Sequence, residues 1–129
     1  MKAIALAILG VTALAAMPAS AQPANTCFSM REFQTWKAPD AHTIYVKVAV
    51  NHFYRLDLAS DCAELQMPGV HLVTKSRGSD QVCDALDWDI SASTRQFGQP
   101  GGAEMKCIVK TMTPMSAAEV AAIPPKFRP

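Results

Sequence analysis

Cys27, Cys62, Cys83 and Cys107 are the residues of this chain best equipped for chemistry, and their spacing decides which chemistry. No two of them are separated by just two residues. There is therefore no Cys-x-x-Cys pair for a zinc ribbon, a haem attachment or a thioredoxin-like redox centre. An even number of cysteines in a short exported chain reads instead as two disulfides. Spacing alone leaves all three possible pairings open. The pairing expected here is Cys62–Cys83, closing a hairpin, with Cys27–Cys107 tying the start of the domain to its last strand. On the loop-entropy view the short bridge contributes about 3 kcal/mol and the long one about 4–5 kcal/mol. Paired cysteines are poor nucleophiles.

Three other groups could do chemistry. Asp84, Asp87 and Asp89 are the densest acidic run, and a hard cation wants such oxygens converging on one point. No glycine or distal glutamate completes a calcium loop, so a solvated strand face is expected. Met112 and Met115 have the Met-x-x-Met spacing that soft copper can use, with Met105 nearby. The plainer reading is thioethers filling gaps against the core. Copper handling through Met112 and Met115 would need His52 or His71 to join them. The histidines, His42, His52 and His71, lie in or beside turns or on a strand, and no Gly-x-Ser-x-Gly elbow accompanies them. Scattered carboxylates neither build nor exclude a two-carboxylate hydrolase. No catalytic residue is assigned and no cofactor is expected. The aromatic residues Trp36, Tyr45, Phe53 and Tyr54 cluster on adjacent hairpins, where joint exposure would make a binding patch.

The elements that would carry these groups are mostly strands. Phe33–Lys37 reads as a short one, reached through a bulge or helical turn that corrects the parity between Met30 and Phe33. Thr43–Val50 alternates cleanly, with Ile44, Val46, Val48 and Val50 on one face. Asn51-His52 is the expected two-residue turn. Phe53–Leu58 returns with Tyr54, Leu56 and Leu58 inward. A helical turn carries Cys62 and Leu65. Gly69–Lys75, Ala85–Ala92 and Met105–Met112 read as further strands, and Gln96–Gly102 as a polar loop. Ser116 and Glu119 form a capping box for a short helix that Pro124-Pro125 ends. Pro124–Pro129 is expected to be disordered. Five to six short strands with little helix indicate a mainly β, antiparallel fold, either a small partly closed barrel or a sandwich.

The N-terminus reads as a cleavable export signal. Lys2 precedes an uncharged apolar run from Ala3 to Met17, Pro18 breaks it, and Ala19-Ser20-Ala21 suits signal peptidase. Cleavage after Ala21 would leave a mature chain from Gln22, ordered from about residue 27 to 123, and of one-domain length within 129 residues in all. Loss of Lys2 brings the 12 basic residues level with the 11 acidic ones. A neutral chain gives no reason to expect nucleic acid as a partner. Beyond the signal no apolar run reaches the roughly 20 residues that span a bilayer.

The order of features resembles a family of short exported proteobacterial proteins classed only as a domain of unknown function. The matching residues are Cys27, Phe33 to Trp36, Thr43-Ile44-Tyr45-Val46, Tyr54-Arg55-Leu56-Asp57-Leu58, Cys62, Val82-Cys83 and Cys107-Ile108-Val109. The resemblance extends from about Cys27 to Met112. It implies export and a single domain, and it brings no activity, cofactor or catalytic residue.

The expectation that follows is a periplasmic or secreted β domain that binds an envelope protein or a small ligand without catalysis. Copper handling is the alternative, and a small hydrolase the weaker one.

Overall fold

The computed structural model of the chain describes residues 27–96 and 100–129. The expected export signal, the lead before Cys27 and the tip of the polar loop lie outside the described residues.

Among the described residues the strands are β1 (Phe28–Ser29), β2 (Phe33–Lys37), β3 (Thr43–Val48), β4 (His52–Leu58), β5 (His71–Ser76), β6 (Gln81–Val82), β7 (Trp88–Ser93), β8 (Glu104–Cys107) and β9 (Val109–Met115), followed by helix α1 (Ala117–Ala122). They form three antiparallel sheets, ordered β2-β3-β4-β9, β5-β7-β8 and β1-β6. The fold is mainly β and sandwich-like, and among the described residues no sheet closes into a barrel. Two-residue strands and a divided last strand raise the number of strands above the expected five to six.

Period-two burial builds the core. Ile44, Val46 and Val48 of β3 and Tyr54, Leu56 and Leu58 of β4 are buried from the larger sheet, and Trp88, Ile90 and Ala92 of β7 from the three-stranded one. They form one cluster with Phe28, Leu65, Val82 and Val109. Phe28 organises its aromatic end, 5.2 Å from the Tyr54 ring and 5.3 Å from Trp88. Burial raises the Tyr54 hydroxyl pKa, and Glu32 nearby adds to it.

The parity problem before β2 is solved in two steps. Residues Met30–Glu32 make a 3-10 turn capped by Ser29, and the β2–β3 register shifts between Phe33 and Thr35. Between β3 and β4 the expected Asn51-His52 turn is replaced by Ala49-Val50-Asn51, because Val48 already pairs with His52. Ala49 takes the positive φ of 49°, and its N–H donates to the Glu32 carbonyl at 2.8 Å. Val50, expected in the core, is 74% exposed at the tip.

The expected strand Met105–Met112 is two strands. β8 pairs with β7 and β9 with β4, so the chain passes from one sheet to the other at Ile108. Strands that switch sheets in this way make the corners of sandwiches. On the way into β8, Gly102 sits at φ +83°, and a Cβ there would lie 2.7 Å from the Arg95 Cα.

The disulfides are Cys27–Cys83 and Cys62–Cys107, in place of the expected Cys62–Cys83 and Cys27–Cys107. Each extends an antiparallel pair. Phe28 lies opposite Val82, so Cys27 and Cys83 follow in register. Leu58 lies opposite Val109 and the Ala59 N–H donates to the Ile108 carbonyl, which brings Cys62 to Cys107. The segment between Cys62 and Cys83 is no hairpin: β5 pairs with β7, and β6 leaves to pair with β1. Sequence separations of 56 and 45 residues correspond to about 4 kcal/mol each on the chain-entropy view.

Candidate functional site

Strand parity separates the four aromatic residues expected to form one patch. Tyr54 belongs to the core at 2% exposure and drops out of any surface site. Trp36 lies opposite Val46 and packs against the core from the edge strand β2. Tyr45 and Phe53 face outward. They stand in the cross-strand rows Tyr45–Arg55–Thr113 and Lys47–Phe53–Met115 on the outer face of the larger sheet.

The C-terminal segment covers part of that face. The capping box expected at Ser116 and Glu119 is present, with the Ser116 N–H donating to Glu119 Oε2 at 2.7 Å. Val120 and Ile123 are buried. Pro124–Pro129, expected to be disordered, is instead ordered. Residues Pro125–Phe127 form a 3-10 turn, and Arg128 donates to the carbonyls of Ala121 (2.8 Å) and Ile123 (2.9 Å). A basic side chain at a helix C-terminus meets the carbonyls left without partners there.

Three grooves flank this segment: one of about 470 Å³, with Phe53, Met115, Val120 and Arg128 among its walls, and two that bring basic and aromatic side chains together. The first of these two, about 270 Å³, has Tyr45, Arg55, Thr113, Glu119 and Ile123 among its walls. Its charges are balanced. Arg55 Nε donates to Asp57 Oδ1 at 2.8 Å, which raises the Arg55 pKa, and the hydrogen bonds from Ser116 lower that of Glu119. The second, about 400 Å³, lies at the β2 edge. Trp36, Leu65, Val70 and Phe127 supply its apolar surface, and Lys37 and Lys126 its charge. No Asp or Glu lines it, and neither lysine is ion-paired among the described residues. Lys126 Nζ stands 4.5 Å from the Phe127 ring centre, close enough for a cation–π contact.

Sequence reasoning picked out Trp36 and missed its companions, since Lys126 and Phe127 fell in the tail expected to be disordered. The available signal was a lone aromatic between two basic residues, Lys126-Phe127-Arg128, placed directly after the helix stop.

The other candidates are committed elsewhere. Met112 and Met115 are three residues apart in β9, and strand parity sets them on opposite faces: Met112 packs on the core opposite Leu56, and Met115 faces outward opposite Phe53. Asp84 accepts from the Leu86 N–H at 2.7 Å, and Asp87 accepts from the Cys83 N–H at 3.0 Å. Asp89 pairs with Arg77 and with Lys106. His42 Nε2 lies 2.6 Å from Asp61 Oδ1, both exposed, and neither lines any of these grooves. His52 and His71 are exposed on different sheets. Among the described residues no three His, Cys, Asp or Glu side chains gather as a metal site.

No curated protein and no solved structure matches the chain. One family model does, over residues 1–126, and its description is a family of unknown function, DUF6491. Covering nearly the whole chain, that match carries the conclusion that the protein belongs to this family.

Proposed function

We propose that this protein is an exported, non-catalytic binding module, its single β domain freed by cleavage after Ala21, that takes its ligand in the groove between Trp36 and Phe127. Export is supported by the signal-like N-terminus and by two disulfides, which form in oxidising compartments. Among the described residues no helix is long and apolar enough to cross a membrane. Binding rather than catalysis is supported by the structural use of the reactive groups. The cysteines are bridged, Asp84 and Asp87 cap a turn, and Asp89 joins strands.

The observation that carries the reading is the groove itself. A half-buried tryptophan and phenylalanine, with Leu65 and Val70, surround a concavity of about 400 Å³ rimmed by unpaired cations. Its volume falls in the range of small-molecule sites, about 300–1,000 Å³. The Tyr45–Arg55 groove is smaller and its charges already have partners.

A fragment screen read by NMR tests the reading. Hits are expected to shift the Trp36 indole N–H together with the Val70 and Phe127 amides. Phe127→Ala, outside the core cluster, should abolish them while leaving the rest of the spectrum in place. Hits confined to Tyr45 and Arg55, or spread without preference, would move the site or remove it. Export has its own check: protein recovered from the periplasm should begin at Gln22.

A further inference from the structure

We infer that β5 is the edge through which this protein pairs, antiparallel, with a second copy of itself; this goes beyond the groove reading above and does not rest on it. In an antiparallel ladder the hydrogen-bonded pairs alternate. The Arg77 N–H donates to the Asp87 carbonyl, and the same register sets Lys75 opposite Asp89, Val73 opposite Ser91 and His71 opposite Ser93. Those are therefore the bonded pairs, and the N–H and C=O groups of Leu72, Thr74 and Ser76 point away from β7. β5 is the outer strand of its sheet, and among the described residues these groups have no other partner. An edge strand in that state is a template for another strand.

The other edges are guarded or short. β2 is bulged between Phe33 and Thr35, and the Gln66 side chain donates to the Ala38 carbonyl just beyond it. β9 contains Pro114, which has no N–H to offer. β1, β6 and β8 are two to four residues long. β5 runs six residues without a proline, a glycine or a register shift, and its Lys75 stands beside Asp89. The strand is also its own complement. A two-fold axis at Thr74 sets Thr74 opposite the partner's Thr74 and Leu72 opposite the partner's Ser76, so outward-facing groups meet outward-facing groups along the strand. Val73 then lies opposite the partner's Lys75, and no like charges are directly opposed. Leu72, which packs on the core from the edge and is only half-buried, is covered by the added strand. A mature chain with level charges offers no net repulsion between copies. Six residues of edge are few beside the roughly 1,200–2,000 Å² of a stable interface, so the dimer is expected to be reversible.

Sedimentation equilibrium of the disulfide-bonded mature protein, from micromolar to millimolar, is expected to show a reversible monomer–dimer equilibrium. Over the same range the NMR amides of Leu72, Thr74 and Ser76 should shift and become protected from exchange, while those of Trp36 and Met112 stay fixed. Two substitutions read the register. Val73→Lys sets a like charge opposite the partner's Lys75, and Val73→Glu an opposite one. Both lose the same valine, so their difference isolates the charge, and the Glu variant should dimerise about tenfold tighter than the Lys variant. Thr74→Pro removes the central N–H, which an edge strand tolerates, and should leave a folded monomer. Should Thr74→Pro fail to fold, the Val73 pair carries the test. A monomer throughout the range would overturn the inference. So would a dimer whose shifts fall on β2 or β9, or equal dimerisation of the two Val73 variants.

Discussion

Phe53 and Tyr54 are consecutive in β4 and stand on opposite faces of the four-stranded sheet. Tyr54 enters the core beside Phe28, while Phe53 turns outward between Lys47 and Met115. One peptide unit thus separates a residue that holds the two larger sheets together from one that meets the C-terminal segment. Each face has its own aromatic residues, and only the inner set is shared with the three-stranded sheet.

Substitution should separate the two roles. Tyr54→Ala removes a fully buried ring and should cost about 3–5 kcal/mol. Phe53→Ala empties a half-buried position and should cost about 1–2 kcal/mol. Urea unfolding of both variants gives the comparison. Equal losses would mean that the outer face contributes to the core as much as the inner one does.

The two tryptophans should report their different surroundings. Trp88 is buried, whereas Trp36 is half-exposed in the groove. Acrylamide should quench one component of the emission and leave a protected, blue-shifted one. Trp36→Phe should remove the quenchable component alone. If Trp36→Phe leaves quenching unchanged, the groove is closed in solution.

Where burial follows a clean period, the fold was legible. β2 has the bounds read from sequence, and Tyr54, Leu56 and Leu58 point inward as their alternation with Arg55 and Asp57 required. Legibility ended where pairing is decided by distant partners. β1 and β6 have two residues each, too few for any period, yet their pairing sets the Cys27–Cys83 bridge. Ile108 sits in a run that alternates on both sides, and only the competing partners β7 and β4 show that the chain changes sheets there. Of the site, Trp36 was visible as an aromatic strand residue. Phe127 was not, because its order depends on Arg128 reaching back to the Ala121 and Ile123 carbonyls.

The two bridges should differ in reducibility. Cys27 is exposed, whereas Cys62 and Cys107 are both buried. Thiol–disulfide exchange needs access to a sulfur. Mild dithiothreitol followed by alkylation and mass mapping should label Cys27 and Cys83 first. Cys62 and Cys107 should react only once the fold is loosened by denaturant. Simultaneous labelling would mean that opening one bridge unfolds the chain.

Asp89 should make stability sensitive to acid. The hydrogen bonds from Arg77 and from Lys106 hold its carboxyl well below the usual carboxylate range. Its pKa is lower folded than unfolded, so its contribution is present above the unfolded value, near 3.9, and is lost as pH falls below it. The carboxylate ties β7 to β8 and to the turn after β5. Asp89→Asn should therefore lower Tm at neutral pH, and the gap from the parent should narrow below about pH 4. Added salt should narrow it too, because the network is solvent-facing. A gap independent of pH would assign the loss to packing rather than to charge.

The C-terminal helix should be the first element to release. Six residues are too few for a helix that stands alone in water, where about 12–15 are needed for even marginal stability. Its order therefore depends on the capping box, on Val120 and Ile123 against the sheet, and on Arg128 at its end. Ser116→Ala removes the acceptor for the Glu119 N–H and should cost about 1 kcal/mol. That corresponds to roughly fivefold faster amide exchange at Val120 and Ile123, whose N–H groups close the turns. Exchange at Val46 and Leu56 should be unchanged, since those residues are held by strand pairing on either side. If the core amides quicken in step with the helix, the C-terminal segment unfolds only with the whole domain, and Tyr45 and Phe53 would be uncovered only when everything else is.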